Sequence, residues 1–355
     1  MSLMDLNRLP PRWFRRLVLA PVVFGLAVVL VVASPVIHLV AAVADLIIDR
    51  RRWRISRLVG MGLAFCVGEA FGLFALFTVW VGSGFGLFMN RPFWAKANHI
   101  LASQYLAMVT NAVVFFLGVD FRASFDESPK GPQLLFARHA GPGDAFRLMK
   151  IVTRDLNRRC HAVGAAKLQW DPFLDVAGER LRFHFLKQSP DDTQAELRNI
   201  AALAASLEAN DTLVIYPEGG NYTPKRREAR IKSERTRGRQ DRAELAESLK
   251  HTLLPKTGGV LAAIEGAPKA TITFLGHAGL DDIHGLRTMW ETMPLRRTVV
   301  AKGWNVELLE TVTERQARSQ WLMEQWKRVD DWIDETLRSG ATHGPLHPRG
   351  NIPEA

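Results

Sequence analysis

Cysteine is scarce in this chain, with Cys66 and Cys160 the two among 355 residues. Two cysteines in separate contexts give neither a disulfide framework nor a metal-binding spacing. None of the ten histidines belongs to an H-E-x-x-H or C-x2-C pattern, and the sequence contains no G-x-S-x-G turn. These absences argue against a disulfide-stapled scaffold, a bound metal and a serine hydrolase. They are typical of a domain kept in the reducing cytoplasm.

Acidic residues are in the minority, since 46 lysines and arginines face 36 aspartates and glutamates, for a formal net charge of +10. The basic side chains concentrate in Lys225–Arg242, which Glu228, Glu234 and Asp241 interrupt. Such a run is typical of a solvated helix face, or it lies on anionic lipid, where each basic residue contributes about 1 kcal/mol. A nucleic-acid-binding membrane protein is an alternative, but the run lacks interleaved aromatic residues, so we expect no nucleic acid partner.

Two long segments contain almost no charge. Leu17–Ala44 has no charged residue, and Leu58–Met89 has a single one, Glu69. Both are longer than the roughly 20 residues that a helix needs to cross the hydrocarbon core of a bilayer. Leu17–Ala44 also exceeds the apolar part of a signal peptide and has no clear cleavage site. We therefore expect residues 1–100 to form membrane-embedded helices.

The topology of these segments has two solutions. Arginines crowd the first sixteen residues and the connector Asp49–Arg57, and arginine-rich flanks favour the cytoplasmic side. Two plain spans would put the connector outside, whereas fold-backs at Ser34-Pro35 and at Gly82-Ser83-Gly84 would keep every flank inside, and we favour the fold-backs. Ser103–Leu117 follows, and it is predicted to be an interfacial helix or, equally, an ordinary core helix.

The first chemical motif follows a short apolar run. Leu134–Ala137 predicts a buried strand, and the string Arg138-His139-Ala140-Gly141-Pro142-Gly143-Asp144 predicts the loop that leaves it. An imidazole can take a proton from a hydroxyl when an acceptor fixes its tautomer and ring plane. His139 is the candidate base, and Asp144, at the start of a predicted helix, is the candidate acceptor. For this motif alone, two surface loop residues remain the alternative.

Two further blocks repeat this pattern of an apolar run that ends in a glycine turn. Leu213–Ile215 leads into Tyr216-Pro217-Glu218-Gly219-Gly220, and Leu253-Leu254-Pro255-Lys256-Thr257-Gly258-Gly259 is the third block. Ionisable groups on glycine-rich turns at strand ends are typical of an α/β active site. We expect an α/β fold with a mixed sheet flanked by helices, divided into the membrane segment at 1–100, a catalytic domain at 101–338 and a disordered tail at 339–355.

Taken in order, these motifs resemble those of the glycerolipid acyltransferases, the family of 1-acylglycerol-3-phosphate acyltransferases and other lysophospholipid acyltransferases. The resemblance covers roughly residues 105–310 and rests on H-x4-D, the Tyr-Pro-Glu-Gly block and the Leu-Pro-Lys-Thr-Gly-Gly block. Phe183–Lys187 stands where the family has its second motif. The resemblance implies a membrane enzyme whose catalytic domain faces the cytoplasm and whose partners are acyl-CoA or another acyl carrier, a lysophospholipid and the bilayer.

The resemblance also implies a one-step transfer with no cofactor beyond acyl-CoA as co-substrate. His139, oriented by Asp144, would deprotonate the free hydroxyl of a lysophospholipid, above all 1-acylglycerol-3-phosphate. That hydroxyl would attack the thioester carbonyl, whose oxyanion needs donors such as the backbone N–H groups of Gly141, Gly143, Gly219 and Gly220. The residues that we place at the substrate are Arg138, Lys187, Glu218, Gly219, Gly220, Lys225, Arg226, Pro255 and Lys256.

The sequence departs from the family pattern after the glutamate. The family usually has Gly-Thr-Arg there, and this chain has Gly219-Gly220-Asn221. Asparagine lacks the charge and the planar fork with which arginine grips phosphate oxygens, so the headgroup stays open. We expect Lys187, Lys225, Arg226 or Arg227 to substitute. A lysocardiolipin-like acceptor and a thioesterase, in which water accepts the acyl group, are the alternatives.

Overall fold

The computed structural model of the chain describes residues 9–48, 50–141, 143–187, 193–283, 285–308 and 314–342. These residues form two compact units. The first takes in Met1–Leu117 and Phe146–Glu196, and the second takes in Gly118–Ala145 and Leu197–Ala355. Of the tail predicted to be disordered at 339–355, residues 343–355 lie outside the described residues.

Helices predominate over strands in the described ranges. The α-helices are α1 (Arg12–Phe14), α2 (Ala20–Val32), α3 (Ser34–Ile48), α4 (Arg54–Gly82), α5 (Pro92–Leu117), α6 (Asp144–Lys150), α7 (Pro172–Arg180), α8 (Thr193–Ala205), α9 (Pro224–Thr236), α10 (Gln240–Ser248), α11 (Thr257–Gly266), α12 (Leu286–Thr292) and α13 (Arg315–Arg338). The strands are β1 (Val119–Phe125), β2 (Gln133–Ala137), β3 (Arg159–Ala165), β4 (His184–Leu186), β5 (Asp211–Ile215), β6 (Thr271–Ala278) and β7 (Arg297–Val306).

Three helices of the first unit are long and apolar enough to cross a membrane. They are Arg12–Val32, in which the π-helical turn Arg15–Leu19 joins α1 to α2, and the helices α4 and α5. Large apolar side chains on α2 and α3 stay exposed, among them Val32 at 76% and Ile47 at 79%. Such surfaces are stable in lipid and costly in water. The predicted apolar helices are thus present, and they are compatible with membrane association.

Helices α4 and α5 form an antiparallel hairpin. The contacts along it pair Gly60 with Phe116, Gly72 with Tyr105 and Gly82 with Trp94. Glycines on α4 let bulky side chains of α5 approach its backbone, which is how apolar helices gain packing contact where lipid supplies no hydrophobic driving force. The Tyr105 hydroxyl donates to Glu69 Oε1 at 2.9 Å, so the single charged residue predicted within the apolar segment is bonded inside the hairpin.

This hairpin bears on two expectations. The chain reverses at the expected fold-back Gly82-Ser83-Gly84, but α4 continues unbroken to Gly82, so the returning limb is α5 and not the remainder of Leu58–Met89. Ser103–Leu117 is not a separate interfacial helix, because it is the second half of the 26-residue helix α5. The predicted domain boundary at residue 100 therefore falls inside a helix.

No loop separates α2 from α3 at Ser34-Pro35, the point at which a fold-back is expected. Ala33 alone separates α2 from α3, and it keeps helical dihedrals of φ −76° and ψ −6°. Helical hydrogen bonding resumes at once, since the Ile37 N–H donates to the Ala33 carbonyl at 3.0 Å. The chain therefore has a one-residue break at this proline, which lacks the N–H that a continuous helix requires.

Polar helix α7 is joined to the apolar helices of its own unit by a buried ion pair and by hydrogen bonds. Arg15 donates to Asp175 at 2.7 Å, and the two side chains are only 9% and 1% exposed. Arg180 donates to the Leu76 carbonyl at 3.0 Å and to Asn98 Oδ1 at 3.1 Å. The basic N-terminal flank is thus used in part for protein contacts. The same unit contains the parallel pair β3 and β4.

The second unit contains a mixed sheet with the strand order β1-β7-β6-β2-β5. Strand β7 runs parallel to β1 and antiparallel to β6. Strand β2 lies between β6 and β5 and runs parallel to both. All five residues of β2 and all five of β5 are buried, as expected for central parallel strands covered on both faces. The predicted mixed sheet flanked by helices is confirmed.

Helix α13 packs on β6 and closes the core of this unit. Trp326 is 0% exposed, and its ring centroid lies 6.3 Å from that of Phe274 on β6. A methyl group built on Gly276 would lie 2.8 Å from Trp332, so glycine permits the helix to approach the strand this closely. Trp321, Trp326 and Trp332 of α13 are all buried in this core.

We expect Gly72→Ala to destabilise the α4–α5 hairpin. Its new methyl group would lie 2.5 Å from Phe173 and 3.2 Å from Tyr105, and overpacking of this kind costs about 1–3 kcal/mol. The thermal midpoint in detergent should fall. Gly62→Ala is the matched control, because nothing lies within 4 Å of its new methyl group. Equal midpoints for the two variants would contradict the close packing described here.

Candidate active site

The ends of three parallel strands bring the predicted site residues into line. On β2, Phe136 pairs with Ile215 of β5 on one side and with Phe274 of β6 on the other. Three residues further along each chain segment, the backbone is at the end of its strand or in the loop that follows. The residues at these three positions are His139, Glu218 and His277. Because carboxyl ends of parallel strands share one edge of a sheet, this row forms the floor of the candidate site.

His139 and Asp144 meet as the sequence predicts. The Nδ1 atom of His139 lies 2.9 Å from Asp144 Oδ1. The other carboxylate oxygen accepts from the backbone N–H groups of Ala140 at 2.7 Å and Gly141 at 3.1 Å. Since a carboxylate only accepts, Nδ1 carries the hydrogen and Nε2 is left free to take a proton. The His139 side chain is 22% exposed, so a substrate hydroxyl can reach it.

The electrostatics of this pair suit a general base. Burial of the imidazole opposes its protonation, but the hydrogen bond and charge of Asp144 outweigh burial, so the pKa of His139 lies above its usual value. Burial would also raise the pKa of Asp144. The hydrogen bond from His139, the proximity of His277 and the charges of both rings prevail, and they hold that pKa well below its usual value. Asp144 is therefore ionised at neutral pH.

Glu218 is a buried brace between two turns. The side chain is 0% exposed, and its two oxygens accept from the backbone N–H of His139 at 2.7 Å and of Leu253 at 2.8 Å. Burial raises the pKa of Glu218 to about 7, against the opposing effects of these N–H bonds and of the Arg138 charge. The Glu218 carboxyl is thus enclosed by protein, and its predicted contact with the substrate stays a prediction.

Arg138 is also enclosed, which corrects its assignment to the headgroup. Its side chain is 0% exposed and pairs with Asp281. The guanidinium donates to the His277 carbonyl and, at 2.7 Å, to the His251 carbonyl. Asp330 of α13 fixes the same segment by accepting from the His251 N–H at 2.8 Å. Arg138 therefore ties the strand ends together and is not available to an external anion.

A cluster of cations covers the glycine turn that follows Glu218. A Cβ atom built at Gly219, which has φ +67°, would lie 2.9 Å from Lys256 Cε. One built at Gly220 would lie 3.1 Å from Arg226 Nη1, which donates to the Asn221 carbonyl at 3.0 Å. The Arg226 guanidinium, which comes from α9, therefore lies beside Asn221, the position at which the family motif usually has arginine.

Arg230 belongs to the same cluster, although the sequence analysis did not place it at the substrate. It donates to the Glu218 carbonyl at 3.3 Å. Partial burial of the ammonium, followed by the charge of Arg230, lowers the pKa of Lys256. We call Arg226, Arg230 and Lys256 the turn cations. The helical spacing of positions 226 and 230 was the signal that could have found Arg230, because residues four apart share one helix face.

The remaining predicted residues divide by exposure. Lys225 is exposed in the first turn of α9, whose N-cap is the Thr223 side chain. Pro255 is buried, and its role at the substrate stays a prediction. Lys187 is exposed after β4 in the first unit, and its role stays a prediction.

Two of the four proposed oxyanion donors already have acceptors. The Gly141 N–H donates to Asp144 at 3.1 Å, and the Gly219 N–H donates to the Tyr216 carbonyl at 3.1 Å. The expectation that all four glycines could serve is therefore wrong for these two. Gly143 and Gly220 remain the candidate donors.

The geometry is that of an imidazole held by an ionised carboxylate beside a glycine turn that is lined by cations. The family model described as Acyltransferase matches residues 120–275, which include the strand ends that position His139 and Glu218. This segment is an acyltransferase-family domain. The resemblance to the glycerolipid acyltransferases predicted from the motifs is confirmed. Comparison with curated proteins finds no match.

His277 is the other residue of this site that sequence reasoning missed. It lies beyond the matched segment, at the end of β6, and its Nε2 atom is 3.5 Å from Asp144 Oδ2. A histidine at the end of an apolar run was the signal, much as it was for His139. Within the described residues, no group of three or more histidine, cysteine or carboxylate side chains is placed to hold a metal ion.

Arg138→Gln should lower stability and leave substrate affinity unchanged. Breaking a buried ion pair costs about 3–5 kcal/mol, because the remaining carboxylate of Asp281 loses its partner. The thermal midpoint in detergent reports this loss. Arg226→Gln is the control, since Arg226 is exposed and its loss should not move the midpoint. An unchanged midpoint in Arg138→Gln together with a raised KM for the acceptor would restore the headgroup assignment.

Proposed function

We propose that this protein is a membrane-bound acyltransferase that moves a fatty acyl group from acyl-CoA to the free hydroxyl of a lysophospholipid, with 1-acylglycerol-3-phosphate as the first acceptor to test. The observation that carries the proposal is the His139–Asp144 contact at 2.9 Å in an acyltransferase-family domain. Acyl-CoA is a co-substrate in this proposal, and no other cofactor takes part.

The chemistry follows from the state of the two side chains. Asp144 holds the Nδ1–H of His139, so Nε2 accepts the proton of the acceptor hydroxyl as its oxygen attacks the thioester carbonyl. The C–S bond then breaks, and the imidazolium returns the proton to the departing CoA thiolate. Fixing the imidazole through Asp144 and through the Glu218 bond to the His139 N–H removes the cost of orienting the base during the reaction.

The turn cations supply the headgroup site in this proposal. Arg226, Arg230 and Lys256 carry positive charge around the Gly219–Gly220 turn. Glycine at both positions lets these long side chains approach the backbone closely. A phosphate bound there would receive the charge-assisted bonds that Asn221 cannot provide. A lysocardiolipin-like acceptor, with a phosphodiester, would use the same cations.

The apolar helices would hold the enzyme at its lipid substrates. Helices α2 and α3 expose long apolar faces, and the acyl chains of donor and product are themselves soluble in a bilayer. We propose a membrane location with the catalytic domain on the cytoplasmic side. Arginine-rich flanks favour this orientation.

A thioesterase is the second candidate, because a base that activates a hydroxyl can also activate water. The turn cations favour an anionic lipid acceptor over water. Incubating membranes with labelled acyl-CoA and a panel of lysophospholipids, then resolving the products by mass, separates the two. Free fatty acid as the sole labelled product with every acceptor would replace the acyltransferase proposal by the thioesterase.

His139→Ala and Asp144→Asn should each lower the rate of acyl transfer by about 10²–10⁴-fold, the usual contribution of an oriented general base. Because the neutral imidazole is the active form, kcat/KM of the parent should fall as pH drops through the raised pKa of His139, which lies above 6.5. Sedimentation with membranes serves as the control and should be unchanged in both variants. Transfer at the parental rate in both variants would remove the proposed base.

Arg230→Gln and Lys256→Gln should raise KM for a phosphomonoester lysolipid by about 10–100-fold and leave kcat nearly unchanged, because each removes one charge-assisted contact of about 1.5–3 kcal/mol. Arg235→Gln is the matched control on α9, since its partner is Glu247 at the protein surface. Lysophosphatidic acid, a lysophosphodiester and a neutral monoacylglycerol are compared. An equal loss with the neutral acceptor would contradict the headgroup role.

A further inference from the structure

His277 is a buried imidazole at the centre of the charged residues of the site. The residue is 5% exposed and is the next-to-last residue of β6. Strand β6 lies beside β2, the parallel strand that leads into His139. Parallel register places the two histidines next to each other on neighbouring strand ends. Burial of a titratable ring at this position is unusual for a residue that serves packing alone, because an apolar side chain would fill the space at lower cost.

The groups around His277 are charged. Asp144 Oδ2 lies 3.5 Å from Nε2, and Asp281 is close enough for the His277 charge to lower the pKa of its carboxyl. Arg138, from the end of β2, donates to the His277 carbonyl. His277 therefore lies between the carboxylate that orients the base and the buried Arg138–Asp281 ion pair.

Neither ring nitrogen of His277 has a hydrogen-bond partner among the described residues. A buried donor or acceptor without a partner costs about 1–3 kcal/mol, so the ring is not there to complete a structural hydrogen bond. The Asp144 carboxylate lies at ion-pair distance from it, 3.5 Å. The ring therefore affects Asp144 mainly through electrostatics, because no full hydrogen bond joins the two side chains.

We propose that His277 is a positioning residue that shares the Asp144 carboxylate with His139 and limits how much of its negative charge acts on the base. This inference rests on the proposed function for its catalytic meaning. The effect on Asp144 itself does not require that function.

The sharing matters because the two roles of Asp144 conflict. The carboxylate must hold the His139 ring, yet its charge also favours the protonated imidazole, which cannot act as a base. The Nε2 atom of His277, 3.5 Å from Oδ2, offsets part of that charge while Oδ1 keeps its bond to His139. A base works best when its pKa is near the working pH, and His277 would hold it there.

His277→Phe and His277→Gln form the test. Phenylalanine keeps the ring volume and removes the charge and both nitrogens, whereas glutamine can place an amide N–H near the position of Nε2. In the full-length protein in detergent, carbethoxylation of His139 by diethyl pyrocarbonate is followed against pH by peptide mass spectrometry. Since only the neutral imidazole reacts, the midpoint of this profile reports the protonation of His139 without any turnover.

We expect the His139 midpoint to rise by about half to one pH unit in His277→Phe, because the full charge of Asp144 then acts on one imidazole. His277→Gln should return it toward the parental value. The acid limb of kcat/KM should move with the same sign, while KM for acyl-CoA and for the lysolipid stays unchanged. The thermal midpoint of each variant is measured alongside.

An unchanged carbethoxylation midpoint in a folded His277→Phe variant would overturn the proposal and leave His277 a packing residue. A midpoint that moves equally in the phenylalanine and glutamine variants would also overturn it, since the N–H would then have no part. If no lysolipid accepts an acyl group from the parent protein but the midpoint still shifts, the proposed function fails and the sharing of Asp144 stands.

Discussion

Two buried carboxylates fix the backbone of the site, and its chemistry depends on them. Asp144 accepts from the N–H groups of Ala140 and Gly141, and Glu218 accepts from those of His139 and Leu253. A carboxylate that accepts backbone N–H bonds draws the chain around itself and satisfies donors that a tight turn leaves unpaired. His139 is therefore held by its ring through Asp144 and by its backbone through Glu218.

The second unit is arranged around this constraint. Asp330 and Trp326 of α13 fix the segment 250–253, to which Glu218 and Arg138 both bond. Mutations of α13 far from the base in sequence would thus disturb the base through the backbone. The polar residues enclosed beneath the site contribute to its geometry, and the exposed cations above the Gly219–Gly220 turn are the ones free to meet a ligand.

The sequence predicted the α/β class, the apolar helices and the His139–Asp144 pair because each has a local signature. Hydrophobic runs of different lengths distinguish strands from membrane-type helices, and glycine turns mark strand ends. The roles of Arg138, Glu218 and Pro255 were not predictable in the same way. Each stands in or beside a motif and carries a group or ring that suits ligand contact, but burial assigns it to the protein interior.

The chain by itself determined which residues could act: an imidazole with an acceptor five positions on, a glutamate on a glycine turn, and a basic run without its expected arginine. Tertiary structure decided which of them face a substrate and which brace the site. It also brought His277 to Asp144 and Arg230 to Lys256. The physical reason is that strand register and helix docking join residues that are distant in the sequence, and no local pattern encodes the desolvation and charge that such neighbours impose.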